Sequence, residues 1–162
     1  MKNSSLTKAI SYKDFKKEVL DDYKTILISR EASLLGRKEV LSGKAKFGIF
    51  GDGKELPQVA MAKVFEKGDF RSGYYRDQTF MFSIDELTVQ QFFAGLYANT
   101  NFDEEPMSGG RQMGSHFSSV FVDEKGKFKD LPNQYNISSD VSPTSGQMPR
   151  LLGLAMASKL FR

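Results

Sequence analysis

The chain has 162 residues, enough for one domain to bury most of its apolar surface, and its 40% apolar and 27% charged content is that of a folded globular protein rather than a disordered one. It has no cysteine, no long apolar run and no signal-peptide pattern, which excludes disulfides and thiolate metal sites, argues against membrane insertion and makes a cytoplasmic protein the expectation. The net charge of +3 is spread through mixed-sign stretches such as Lys13-Asp14-Phe15-Lys16-Lys17-Glu18, so no nucleic-acid-binding stripe is expected.

Residues 1–10 read as a loose, disordered tail. Ser11 can cap a helix whose apolar positions Phe15, Val19, Tyr23, Ile26, Leu27 and Leu34 keep helical spacing to about Leu41, with one break expected near Asp21-Asp22 and a stop at Gly43. Lys44 to Gly53 reads as a loop. A short helix is predicted over Leu56 to Glu66, with Pro57 in its first turn and Lys67-Gly68-Asp69 ending it. Thr88-Val89-Gln90-Gln91 has the form of a capping box and opens a helix through Phe92, Phe93 and Leu96. Residues 101–146 show no periodicity and are rich in glycine, serine, asparagine and proline; a loop of that length is expected to bind something or to be mobile. A last helix starts near Pro149 and runs through Leu151, Leu152, Leu154, Met156 and Leu160, with small residues interleaved. No strong strand pattern appears anywhere, and there are no internal repeats.

Three segments carry candidate chemistry. Tyr75-Arg76 joins a hydroxyl to a planar guanidinium that can grip two phosphate oxygens. His116 ends Gly109-Gly110-Arg111-Gln112-Met113-Gly114-Ser115-His116 and is the only histidine, which excludes a catalytic triad or a multi-histidine metal site within this chain. Ser142-Pro143 with Gln147-Met148-Pro149 sets a hydroxyl and an amide side chain just before a helix. Taken residue by residue, each has an ordinary reading as well. Arg76 can be a surface arginine beside a half-buried tyrosine, His116 a satisfied structural histidine, and Ser142 to Pro149 a turn before a helix. Phe80-Met81-Phe82 and Phe92-Phe93 read as core or subunit contact rather than a ligand cage.

In this order the segments resemble the alpha-type part of the thiamine-diphosphate-dependent decarboxylating component of 2-oxo acid dehydrogenase complexes, over about Asp22 to the last residue. The resemblance implies an α/β thiamine-diphosphate-binding fold in the parent enzyme. Of this fold the 162 residues form the amino-terminal part of one domain, mostly helical with long loops and an incomplete sheet, with 101–146 as a loop of the active-site type. It further implies that Tyr75 and Arg76, after the Gly68-Asp69 turn, contact the cofactor diphosphate, that Ser142 lies by the aminopyrimidine ring, that Gln147 meets a potassium ion, and that His116 borders the active site. Gly146 departs from the threonine that branched-chain relatives use at the ion.

The magnesium motif of such enzymes follows a strand and precedes an asparagine by about thirty residues. Gly51-Asp52-Gly53 has neither feature, so Asp52 is assigned no metal, the magnesium ligands are expected beyond Arg162, and Gly53-Lys54-Glu55 is read as the family's Gly-Gln-Glu. The parent enzyme adds the thiazolium carbanion to the keto carbon of a 2-oxo acid, releases carbon dioxide and passes the acyl group to a lipoyl arm. A beta-type half and a lipoyl acyltransferase are the implied partners. Gly-Arg-Gln-Met leans towards branched-chain substrates and Gly-Ser-His towards pyruvate. The chain alone is expected to be an inactive part that self-associates. The alternative is a non-catalytic helical interaction module.

Overall fold

The computed structural model describes residues 10–160; the expected tail, residues 1–10, lies outside them except for Ile10. Helix α1 spans Tyr12–Leu41. Its first free N–H groups are met by Ser11, whose hydroxyl accepts from the Asp14 N–H at 3.2 Å, and beyond its end Gly43 N–H bonds the Val40 carbonyl. The break expected near Asp21-Asp22 is absent. No glycine or proline lies between residues 12 and 35, Lys17 pairs with Asp21 at 3.0 Å, and Lys63 bridges Glu18 and Asp22 at 2.5 and 2.9 Å. The buried face also differs from the expected one. Phe15, Val19, Tyr23, Leu27 and Leu34 are exposed, whereas Ser29, Ala32, Ser33 and Gly36 are buried. Small side chains let α1 approach its neighbour closely.

Helix α2, Glu55–Ala62, stops four residues before the predicted end. Val64 and Phe65 N–H groups bond Met61 and Ala62 in tight turns, and the Phe65 ring turns inward against Phe80 (5.2 Å) and Tyr135 (5.6 Å). Helix α3 is Gln78–Ser83 and α4 is Val89–Leu96. The α4 capping box forms in both directions, Gln91 N–H to Thr88 Oγ1 at 3.2 Å and Thr88 N–H to Gln91 Oε1 at 2.9 Å. Phe80, Met81 and Phe92 are buried in the core with Ala32, Ile84, Leu87, Phe117 and Ile137.

A two-stranded sheet is present where none was legible. Strand β1, Phe70–Tyr74, pairs in parallel with β2, Asn136–Val141, and the register slips at Gly73. The stretch 101–146 is therefore not one loop, since it contains β2 and a 3-10 turn at Leu131–Asn133. Both strands are short and polar. Arg71, Asn136, Ser138 and Asp140 are buried in them, so the alternation that marks a strand in sequence is missing. The segment after His116 runs along β2, with Ser119 N–H bonded to the Ile137 carbonyl at 2.8 Å and Asp140 N–H to the Phe117 carbonyl at 3.0 Å. Helix α5, Gln147–Leu160, packs on β1 with no residue of its own buried. Among the described residues no helix is long and apolar enough to cross a membrane.

Candidate functional site

Parallel strands bring their carboxyl ends to one side, and ligands of open α/β sheets bind beyond those ends. Here β1 runs into Tyr75-Arg76 and β2 into Ser142, while the segment beside β2 brings His116 to the same place. The Tyr75 and His116 rings stack at 5.7 Å with an interplanar angle of 18°. His116 Nε2 lies 2.7 Å from Ser142 Oγ, and Nδ1 lies 3.3 Å from the Gly114 carbonyl. A carbonyl can only accept, so Nδ1 carries a proton, and Nε2 shares the other hydrogen bond with the Ser142 hydroxyl, which can donate or accept. The Arg76 guanidinium sits 5.4 Å from the Tyr75 ring centre.

Four of the five residues singled out in sequence therefore converge. Gln147 is placed one turn beyond, where its carbonyl accepts from Ser72 Oγ at 3.0 Å. Its Oε1 is buried without a partner among the described residues, as is Arg76 Nε. The Arg76 cation with its unpartnered Nε–H and the neighbouring tyrosine hydroxyls fit an anionic, hydrogen-bonding ligand, whereas the Gln147 oxygen can only accept and suits a donor or a cation. Among the described residues no group of three or more His, Cys, Asp or Glu side chains could hold a metal ion.

Gly51-Asp52-Gly53 has a structural explanation. A Cβ at Gly51 would overlap the Arg76 carbonyl, which also accepts from Gln58 Nε2 at 3.0 Å. Asp52 pairs with Arg37 at 2.6 Å. Glu55 is buried, with Arg30 donating to both of its oxygens at 2.6 and 2.8 Å and the Gly53 N–H turned to the same carboxylate. The Arg30 hydrogen bonds hold its pKa below the ordinary glutamate value despite burial.

Several residues that shape the site have no role assigned from sequence, although Tyr74 and Ser115 lie within the Gly73 to Asp77 and Gly109 to His116 stretches. Tyr74 brings its hydroxyl within 2.8 Å of that of Tyr75. Glu105 gathers the loop that leads to His116, accepting from Met107, Ser108 and Gly110 N–H groups and from Ser108 Oγ. Burial acts to raise its pKa, but these hydrogen bonds outweigh it and hold it low. Ser115, immediately before His116, is buried and has φ 65°, a left-handed conformation uncommon for a side chain-bearing residue. Arg71 joins Asp77 and Asp140 at the base of the cluster.

No protein-family model matches the chain. It is similar to the 2-oxoisovalerate dehydrogenase subunit alpha of Bacillus subtilis (strain 168), at 30% identity over 148 residues, covering 88% of this chain. The chain spans 38% of the length of that relative. The match supports a distant relationship to the alpha family of 2-oxo acid dehydrogenases, and an enzyme-related function at that level.

Proposed function

We propose that this chain supplies part of the cofactor site of a 2-oxo acid dehydrogenase decarboxylating component, with thiamine diphosphate as the cofactor. The observation that carries the reading is the convergence of Tyr75, Arg76, His116 and Ser142 beyond the carboxyl ends of two parallel strands. The similarity to a 2-oxoisovalerate dehydrogenase subunit gives it direction. Arg76 grips the diphosphate through its planar fork, and the Tyr75 hydroxyl donates a further hydrogen bond. Ser142 lies by the aminopyrimidine ring. His116, whose Nε2 already meets the Ser142 hydroxyl, lines the path of the 2-oxo acid and can hold a proton there. Gln147, with its buried free oxygen, is the candidate ligand of a potassium ion. Thiamine diphosphate, when bound, supplies the carbanion that adds to the keto carbon and takes up the electrons released with carbon dioxide.

Magnesium ligands beyond Arg162, a beta-type half and a lipoyl acyltransferase complete the proposal. The branched-chain 2-oxo acids are favoured over pyruvate, because the similar protein is named for 2-oxoisovalerate. The test is thiamine diphosphate binding by the chain, measured beside its Arg76→Ala variant. Charge-assisted hydrogen bonds of this kind are worth roughly 1.5–3 kcal/mol. Arg76→Ala should therefore weaken thiamine diphosphate by about ten- to a hundredfold and leave the fold intact. An Arg76→Ala protein that binds it as tightly as the parent overturns the assignment.

A further inference from the structure

The most unusual group in the molecule is Arg71. It is 6% exposed, and its guanidinium lies between two carboxylates, Nη2 on Asp77 Oδ2 and Nη1 on Asp140 Oδ1 at 3.2 Å. Its face covers the Phe80 ring at 5.2 Å. A Cβ at Gly73 would overlap this guanidinium, so the glycine that precedes Tyr74-Tyr75-Arg76 is needed for Arg71 to fold back beneath them. Each carboxylate spends its other bonding capacity on one backbone group beside the site. Asp77 accepts the Tyr74 N–H at 2.9 Å, one residue before Tyr75. Asp140 accepts the Phe117 N–H at 3.1 Å, one residue after His116.

A triad of one cation and two anions, with Arg71 and Asp140 buried and Asp77 half-buried, is weak as a device for stability, because removing ions from water costs about what their attraction returns, and apolar residues of similar volume often do as well. What apolar residues cannot do is hold two separate backbone segments at a fixed spacing. We infer that Arg71 is a positioning residue, which through Asp77 and Asp140 sets the Tyr75-Arg76 turn and the His116 segment at the distance that lets the two rings stack. The importance of that spacing rests on the function proposed above, but the coupling itself does not.

The experiment is nuclear magnetic resonance on the full chain without any cofactor. His116 is the only histidine, so its imidazole signal is a single reporter of the stack, and a Tyr75→Leu variant supplies the unstacked position. The charge-neutral triple variant Arg71→Met, Asp77→Asn, Asp140→Asn leaves no charge uncompensated. It should melt cooperatively, yet move the His116 signal at least half of the way to its position in the Tyr75→Leu protein. Arg71→Lys keeps the charge without the two-sided fork. In it, amide-exchange protection at Tyr74 and Phe117 should fall together, by about tenfold or more, while protection in α1 is unchanged. A folded triple variant with His116 at its wild-type position overturns the inference. Should that variant not fold, Arg71→Lys decides alone: protection lost at one of the two amides, at neither, or equally throughout the chain means that Arg71 merely stabilises. Because no cofactor is present, failure here leaves the thiamine diphosphate reading standing, and failure of that reading leaves this coupling untouched.

Discussion

One guanidinium between a buried carboxylate and a half-buried one leaves an excess negative charge, and the buried Asp140 is where it is felt. Its side chain is wholly buried. Burial pushes its pKa up and the neighbouring Asp77 charge adds to this, against the pull of Arg71 and the Phe117 N–H, so that it reaches about 7 from an ordinary 3.8. A carboxyl whose folded pKa is raised binds its proton more tightly in the folded state. The stability this contributes is complete below about pH 4 and is lost as pH rises through 7. Asp140→Asn imitates the neutral form and should remove that dependence. In denaturant titrations the variant should match the wild type at or below about pH 4 and exceed it by a margin that grows to pH 8; a difference that stays constant across this range rules this out. Sequence showed Tyr75, Arg76, His116 and Ser142 because each lies in a motif of recognisable order. It gave no role to Asp77 at the end of the Gly73-Tyr74-Tyr75-Arg76-Asp77 stretch and did not show Arg71, Asp140 or Glu105, since an ion that the fold encloses looks like a surface ion in sequence.

At the scale of elements, local chemistry was the readable part. The Ser11 cap, the Thr88 capping box and the α4 helix follow from residues three or four apart. The α1 face and the two strands depend on distant partners. Ser29 is buried because its hydroxyl meets Thr79 at 2.6 Å, and Ser33 because it receives Gln78 Nε2 at 2.7 Å; neither partner is visible from a helical repeat. Helix α5 shows the reverse case. Its apolar residues are legible, yet Met148, Leu152, Met156 and Leu160 are all more than half exposed. An apolar face of that kind favours association, and about 800 Å² per partner would make a standard specific interface. The chain should therefore sediment as dimers or larger species at high micromolar concentration, and Leu152→Lys with Leu160→Lys should shift it towards monomer. A wild-type chain that remains monomeric there, with a cooperative melt, means that the described core suffices alone.

At the scale of the whole molecule, one side of a cofactor site, as proposed above, should bind its ligand only weakly. One bidentate arginine contributes roughly 1.5–3 kcal/mol and one tyrosine hydroxyl about 1 kcal/mol, together close to the 4.1 kcal/mol of a millimolar dissociation constant. A magnesium clamp would add much more, and no such ligand group occurs among the described residues. The most direct measurement is a titration of the 162-residue chain with thiamine diphosphate, followed at the imidazole of its single histidine, with and without magnesium. Binding should be no tighter than about millimolar and indifferent to magnesium, and it should shift the His116 signal and disappear in Arg76→Ala. Micromolar, magnesium-dependent binding would mean that a complete site exists here, and saturable binding that leaves His116 unmoved would mean that the cluster at the strand ends is not where the cofactor goes.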